Sequence, residues 1–249
     1  MITRRQTLVT LGTGGVLLSG CDRIGRSAAF RSVQGAAQSL TMGAQRLVID
    51  RTALAPEYAA ADMSPNFRTN GNVMPGSSAY KAHLASNFAN WRLVVDGLVR
   101  RPLALSLDRI RSLPARTQIT RHDCVEGWSA IGKWTGVSLK LLLDGAGLRQ
   151  EARYVVFHCA DDFGGRPYYE SIDLVDAFHP QTILAWGMND QPLPVGHGAP
   201  LRLRLERQLG YKMAKYVMRV EAVDDLARIG GGKGGFWEDA SGYQWYAGI

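Results

Sequence analysis

The chain has 249 residues, of which 46% are hydrophobic and 20% are charged, and its formal net charge is +7. This length allows one large domain or two small ones, and the composition is that of a globular protein with a sizeable core. The positive charge favours an anionic ligand or surface. No block of consecutive Lys or Arg resembles a nucleic-acid-binding arm, so we expect no nucleic-acid partner.

The first 21 residues are typical of an export signal. Arg4 and Arg5 precede an apolar run, residues 7–18, that is too short to span a bilayer as a helix. The following Leu-Ser-Gly-Cys, which ends at Cys21, is similar to a bacterial lipobox, in which the cysteine is acylated. Residues 3–8 also resemble a twin-arginine signal. We expect a periplasmic protein anchored to the inner-membrane surface through a lipid on Cys21; a plain secretory leader with an incidental cysteine is the alternative.

Residues 22–60 are interpreted as a linker, because residues 28–44 are rich in Ser, Gly and Ala and show little periodicity. Residues 61–249 then form the functional domain. Alternation and short apolar runs predict strands at residues 92–96, 103–107, 117–122, 154–159, 168–172, 182–188, 201–205 and 217–223.

Three short helices are predicted between these strands, at residues 107–113, 137–148 and 174–178. Ser138 is a plausible N-cap of the second, and Gly145 and Gly147 end it. The aromatic residues of the tail, 230–249, indicate that it packs on the domain. Many strands with short helices predict an α+β domain with mixed sheets.

Cys124 is the residue around which the chemistry is organised. A thiolate suits soft metals, but the chain has three cysteines and no paired metal-ligand spacing, so neither structural zinc nor an iron–sulfur cluster is expected. Cys124 is then either a nucleophile or the ligand of a metal whose other ligands come from an organic cofactor. A nucleophile requires a base such as His122, and a disulfide with Cys159 is a further alternative in an exported chain.

Basic residues downstream could hold an anionic cofactor. Arg202 offers a fork of donors for phosphate, and Lys215 offers a mobile charge. The alternative is that Arg202 and Arg204 form the solvated face of a strand, opposite Leu201, Leu203 and Leu205.

Taken together, these segments resemble the sulfite-oxidase-like molybdopterin-binding oxidoreductase family over residues 66–249. The resemblance is carried by Phe67-Arg68-Thr69-Asn70-Gly71, by residues 91–103, by the Cys124 segment with residues 133–137, and by residues 188–202 and 210–215. It implies molybdenum held by Cys124, by oxo or hydroxo groups and by the dithiolene sulfurs of one pterin. Contacts to this molybdopterin cofactor are implied for Arg68, Thr69, Asn70, Gly71, Asp161, His197, Arg202, Met213, Ala214 and Lys215. Tyr168 is either an active-site tyrosine or an ordinary strand residue.

The segment after the cysteine departs from the animal and plant sulfite oxidases. Cys124 is followed by Val125-Glu126-Gly127-Trp128, and an acid near the metal disfavours a small dianion. This pattern is similar to the catalytic subunit of the periplasmic protein-methionine-sulfoxide reductases and its relatives. The resemblance implies oxygen-atom transfer, with sulfoxide reduction as a candidate reaction.

We expect electrons to pass to or from a haem-containing membrane subunit or a periplasmic cytochrome, because the chain has no second redox centre of its own. The expected substrate is a small-molecule or protein-bound oxo compound. The chain ends before an immunoglobulin-like dimerisation domain could fit, which favours a monomer. Two alternatives stay open: a sulfite dehydrogenase that donates electrons to a cytochrome, and a metal-free, lipid-anchored binding protein of the same fold.

Overall fold

The computed structural model describes residues 28–249, and the predicted leader with Cys21 lies outside them. Part of the predicted linker forms helix α1, Ala28–Val48, which the low periodicity of the segment did not indicate. Ala, Leu, Gln and Met have high helix propensity, and they outweigh the two glycines in the segment. Val33, Leu40 and Leu47 recur every seven residues along the helix and are exposed. No helix within residues 28–249 is long and apolar enough to cross a membrane.

A compact unit comprises Arg51–Ile249 and starts before the predicted boundary at residue 61. The backbone N–H of Ala55 donates to Gln181 Oε1 over 2.8 Å. Glu57 forms a β-bridge with Thr120. Ala55 and Glu57 are therefore joined to the rest of the compact unit through their backbone groups.

In the described part of the chain, ten strands form two five-stranded sheets, in agreement with the predicted α+β class. The strands are β1 Arg92–Gly97, β2 Leu103–Ser106, β3 Ala115–Asp123, β4 Ser129–Ser138, β5 Tyr154–Phe163, β6 Arg166–Asp173, β7 Ile183–Met188, β8 Gln191–Pro192, β9 Arg202–Arg204 and β10 Val217–Val223. The first sheet has the order β2-β1-β10-β5-β6, and only its β1–β10 pair is parallel. The second has the order β3-β4-β7-β8, with β9 also paired to β7.

The helices of the compact unit are short. They are α2 Ser78–Ala85, α3 Leu107–Arg111, α4 Leu139–Ala146, α5 Leu174–Ala177 and α6 Phe236–Ser241. Helix α4 begins after Ser138, as predicted, although the Ser138 side chain makes no capping hydrogen bond. It ends at Gly147, whose φ of +71° is the left-handed conformation that glycine adopts at little cost.

The main core lies against the first sheet and helix α4, around fully buried Trp91, Leu93 and Leu139. A smaller cluster contains Phe67, Trp134 and Met188 and packs on the second sheet. The tail packs on the domain, as its aromatic content predicted: Phe236 is buried within the main core.

Strand β9 is buried on both faces. Its leucines and charged residues alternate as predicted, but Arg202 is only 6% exposed and Arg204 is fully buried. The alternative of a solvated charged face was therefore wrong. Two buried guanidinium groups need partners, and the partners that they have differ.

Candidate active site

A cavity of about 170 Å³ opens between the ends of the two sheets and the tail. Its lining comes from five separate stretches of chain: the loop at residues 67–72, the β3–β4 hairpin, the β5–β6 hairpin, residues 202–215 and the tail after residue 236. The predicted site residues on this lining are Arg68, Asn70, Gly71, Cys124, Asp161, Tyr168, Arg202, Met213 and Lys215.

Cys124 is the first residue of the loop that joins β3 to β4. Its backbone N–H donates to Trp128 O over 2.9 Å, and its carbonyl accepts from Gly127 N over 3.0 Å, so the loop is a closed turn. Gly127 has a φ of +85°, which a side chain with a Cβ rarely adopts. The Cys124 Sγ accepts a hydrogen bond from Asn70 Nδ2 over 3.2 Å. Both Cys124 and Cys159 are free thiols, so the disulfide alternative is wrong.

His122 lies two residues before Cys124, but its ring nitrogen contacts other residues. Its Nδ1 is 3.3 Å from Met213 Sδ and 3.2 Å from Arg204 Nη1. Burial, followed by the charge of Arg202, holds the pKa of His122 well below its ordinary value. The ring is therefore a neutral part of the packed wall, and the nucleophile alternative lacks the base that it requires.

Arg202 and Arg204 are chemically different although they are neighbours on one face of β9. Arg204 makes a two-pronged ion pair with Glu206, with distances of 2.9 and 2.6 Å. Among residues 28–249, Arg202 donates only to His197 O, over 3.3 Å, and its guanidinium lies 5.3 Å from the centre of the Trp134 ring. Burial, followed by Arg204, lowers the pKa of Arg202 to about 9. A buried cation without a carboxylate partner favours an anionic ligand.

Seven buried side-chain polar atoms have no hydrogen-bond partner within the described chain, and three of them belong to predicted cofactor contacts. These three are Arg202 Nε, His197 Nδ1 and Asp161 Oδ1. Buried polar groups are almost always paired in native proteins, so this cluster fits a ligand that carries both donors and acceptors. A pterin ring with an anionic phosphate has this chemistry.

Lys215, which was predicted to contact the cofactor, is held by three backbone carbonyl groups. Its Nζ donates to Asn70 O over 2.7 Å, to Gly196 O over 3.0 Å and to Asn72 O. Burial, followed by Arg202, lowers the pKa of Lys215 to about 7. All three of its donors are engaged, so the side chain clamps the loop that carries Asn70 to the cysteine.

Three predicted residues, Thr69, His197 and Ala214, are not among those that line the cavity. Thr69 Oγ1 is 3.4 Å from His197 Nε2. Ala214 is buried, and its carbonyl accepts from Leu203 N over 2.8 Å. Burial and then Arg202 lower the pKa of His197 to about 4, so its ring is neutral at pH 7.

Tyr168 lines the cavity, but its hydroxyl proton is already engaged. The hydroxyl donates to Tyr211 O over 2.8 Å. Burial, followed by Glu170, holds the pKa of Tyr168 well above its ordinary value. Its hydroxyl oxygen can accept a hydrogen bond from a ligand while the proton stays on the Tyr211 carbonyl.

Further lining residues were not predicted as part of the site, namely Asn72, Phe163, Tyr211, Trp237 and Tyr243. Asn72 donates to Asp161 Oδ2 over 3.2 Å and to Asp162 O over 2.8 Å, which fixes the loop against β5. The signal available for the last two was the aromatic content of the tail.

Comparison with known proteins identifies the family. The family model described as oxidoreductase molybdopterin binding domain matches residues 81–228, which is more than half of the chain. The chain belongs to this family. It is therefore an oxidoreductase of the molybdopterin-binding class, as the resemblance in its sequence indicated.

Two kinds of curated relative are similar to this member of the family. An Azospira oryzae protein, named as a candidate protein-methionine-sulfoxide reductase subunit YedZ1, is 39% identical over 98% of this chain and 86% of its own length. The protein-methionine-sulfoxide reductase catalytic subunits MsrP of Campylobacter jejuni and Xanthomonas campestris are 34% and 35% identical over 55% and 59% of this chain. The chain spans only about half of their length, 51% and 49%.

A solved structure supports the fold. The sulfane dehydrogenase SoxCD from Paracoccus pantotrophus matches with a TM-score of 0.50 and 23% identity, over 55% of this chain and 39% of that chain. At this identity the likeness bears on the fold alone. The α+β architecture with mixed sheets agrees with the molybdopterin-binding class that the family model shows.

Proposed function

We propose that this molybdopterin oxidoreductase transfers an oxygen atom, and that its reaction is the reduction of a sulfoxide to a thioether. The observation that carries the proposal is the free Cys124 sulfur on a cavity beside an unpaired buried cation, Arg202. The names of the curated relatives support the sulfoxide as substrate.

In this proposal Cys124 is the thiolate ligand of the metal. When bound, molybdenum in its pterin dithiolene supplies two-electron redox chemistry. Arg202, His197 and Asp161 hold the pterin and its phosphate through the atoms that lack partners within the chain. Arg68, Gly71 and Met213 complete the contacts along the lining.

The protein tunes the sulfur through its surroundings. Asn70 Nδ2 donates to Cys124 Sγ, which withdraws charge from a thiolate and fixes its direction. Lys215 holds the backbone of Asn70 in place. Thr69 contacts His197, and the Ala214 carbonyl accepts from Leu203 N beside Arg202, so both help to fix the residues around the site.

The residues after the cysteine favour a neutral substrate over sulfite. Glu126 is exposed on the lining and accepts from Trp128 Nε1 over 3.1 Å. A carboxylate at this position repels a dianion. Glu126 lies on the same hairpin as Cys124, and its charge disfavours sulfite oxidation, the reaction of a sulfite dehydrogenase.

The leader motifs support a periplasmic location with a lipid on Cys21. We infer a haem-containing membrane subunit or a periplasmic cytochrome as the electron donor.

The test uses the purified protein with its cofactor. Elemental analysis should find one molybdenum per chain, and the enzyme should reduce methionine sulfoxide with a reduced viologen dye while it leaves sulfite unchanged. Cys124→Ser should keep its fold and pterin, lose turnover and change the paramagnetic resonance spectrum of the metal. Cys159→Ser, the matched control at the other free thiol, should keep both.

Each contrary result has a definite meaning. A protein without molybdenum supports the metal-free binding alternative. Oxidation of sulfite without reduction of sulfoxide supports the dehydrogenase. Full activity of Cys124→Ser would remove the cysteine from the metal.

A further inference from the structure

Four aromatic side chains form one continuous side of the cavity, which we call the aromatic wall: Phe163, Tyr211, Trp237 and Tyr243. The ring centres of Phe163 and Trp237 are 5.2 Å apart, and those of Tyr211 and Tyr243 are 5.0 Å apart. Trp237 and Tyr243 stack at 6.0 Å with their planes 28° apart and join the two pairs. These spacings are those of attractive aromatic contacts.

Half of this wall is supplied by the tail. The family match ends at residue 228, and Trp237 and Tyr243 follow it. The part of the chain that matches the family holds the cysteine and Arg202, whereas the tail adds apolar surface to the same cavity. The tail therefore shapes what can reach the site.

The tail is held rigidly in this position. Lys212 Nζ pairs with Glu238 Oε1 over 2.8 Å and with Glu170, and all three side chains are buried. Asp239 accepts from the backbone N–H groups of Gly231 and Lys233 over 2.6 and 3.0 Å.

Two further hydrogen bonds fix the end of the tail near the cavity. Tyr211 OH donates to Gln244 O over 2.6 Å, and Trp245 Nε1 donates to Ser171 Oγ over 2.8 Å. The wall is therefore formed in the absence of a ligand, so binding costs little conformational entropy in these side chains.

The chemistry of the wall differs from that of the rest of the lining. Arg202, Asp161 and Lys215 face the cavity with charge, whereas the wall presents rings, and Tyr243 is still 37% exposed. Partly exposed rings bind hydrocarbon, and they also attract divalent sulfur at about 5 Å. A sulfoxide reduced to a thioether carries both groups next to the reacting atom.

We propose that the aromatic wall binds the hydrocarbon substituent of the substrate, so that Trp237 and Tyr243 determine specificity. This inference rests on the proposed sulfoxide reduction. It predicts a preference for sulfoxides with an aryl or extended alkyl group over dimethyl sulfoxide. The polar S=O group is then left to face the metal side of the cavity.

The experiment compares variants of the complete, cofactor-loaded enzyme. Tyr243→Ala and Trp237→Leu remove a ring, whereas Tyr243→Phe and Trp237→Phe are matched controls that keep one. Steady-state kinetics are measured with methyl phenyl sulfoxide and dimethyl sulfoxide. Binding of thioanisole, which has no oxygen to transfer, is measured by calorimetry and needs no turnover.

The ring-removing variants should raise KM for methyl phenyl sulfoxide and Kd for thioanisole about 3- to 10-fold, the range expected for a lost aromatic contact. The increase in KM should be clearly smaller for dimethyl sulfoxide, which has only two methyl groups to contact the rings. The Phe variants should resemble the wild type. Circular dichroism and molybdenum content confirm that each variant is folded and loaded.

The outcomes separate the two proposals. If thioanisole binding weakens as expected but no sulfoxide is reduced, the wall is supported and the proposed reaction is wrong. If sulfoxides are reduced and both substrates respond equally, or neither responds, the wall does not determine specificity. If Tyr243→Ala or Trp237→Leu does not fold, the other of the two variants gives the same test.

Discussion

Arg202 and Arg204 provide a matched pair for a prediction about charge burial. We predict that Arg202→Met stabilises the cofactor-free protein, whereas Arg204→Met destabilises it. A tenfold change in proton affinity is worth about 1.4 kcal/mol. Because burial lowers the pKa of Arg202 to about 9, the cost of keeping its charge inside has an upper bound of roughly 5 kcal/mol.

The net gain is smaller than this bound. Methionine keeps most of the volume but loses the contact with Trp134, a cation–π interaction worth about 1–2 kcal/mol when desolvated. We expect Arg202→Met to raise the free energy of unfolding of the cofactor-free protein by about 1–3 kcal/mol, because the relief of charge burial exceeds the loss of the Trp134 contact. Arg204→Met leaves Glu206 buried without its partner, and breaking such a pair costs about 3–5 kcal/mol.

Urea unfolding of both variants, each prepared without cofactor, measures these changes. Retained pterin and molybdenum, measured on protein purified with its cofactor, should fall sharply in Arg202→Met. Equal losses of stability in the two variants would refute the reasoning, because they would show that Arg202 is paired as well as Arg204. Stabilisation with full cofactor retention would remove Arg202 from the cofactor site.

Three further predictions concern the surroundings of the site. In Gly210→Ala the added Cβ would lie 2.3 Å from the His122 ring, which Phe67 and Trp128 hold at centre distances of 5.6 and 5.5 Å, so urea unfolding should show a loss of about 1–3 kcal/mol. Because the pKa of Lys215 is lowered to about 7 in the folded protein, the unfolded chain binds more protons between pH 7 and 10. The free energy of unfolding of the wild type should therefore rise with pH in this window relative to that of Lys215→Met. Urea unfolding at pH 7 and 9.5 measures this, and parallel changes in the wild type and the variant would contradict it. Lys212→Met leaves Glu170 and Glu238 without their cation, and hydrogen exchange should increase first in residues 230–249; uniform exchange would show that the ion pairs do not hold the tail.

The strands could be predicted wherever apolar residues alternate or run together. Strand β10 and the buried start of β5 are examples. Strand β4 was not predicted, because two glycines, Gly132 and Gly136, interrupt its pattern. The Cβ that Gly136 lacks would lie 2.3 Å from Leu184 O, so the glycine serves close strand packing, which is a tertiary constraint.

The cysteine and the basic residues were found because their chemistry is visible in isolation. The alternation of β9 treats Arg202 and Arg204 alike; the family resemblance singled out Arg202, but the ion pair of Arg204 with Glu206 was not predicted. Nor was the role of Lys215, whose acceptor on Asn72 is 143 residues away in sequence. Contacts at such separation depend on how the sheets assemble, and no local pattern encodes them.

The order in which the lining residues are synthesised has a consequence for maturation. The cavity requires Phe67 near one end of the compact unit and Tyr243 near the other. The tail must therefore be synthesised and packed on the domain before the cavity is complete, and contacts over so long a span form late. We therefore expect the cofactor to bind only after the tail has packed on the domain, and a chain shortened to end before Trp237 should retain less of it.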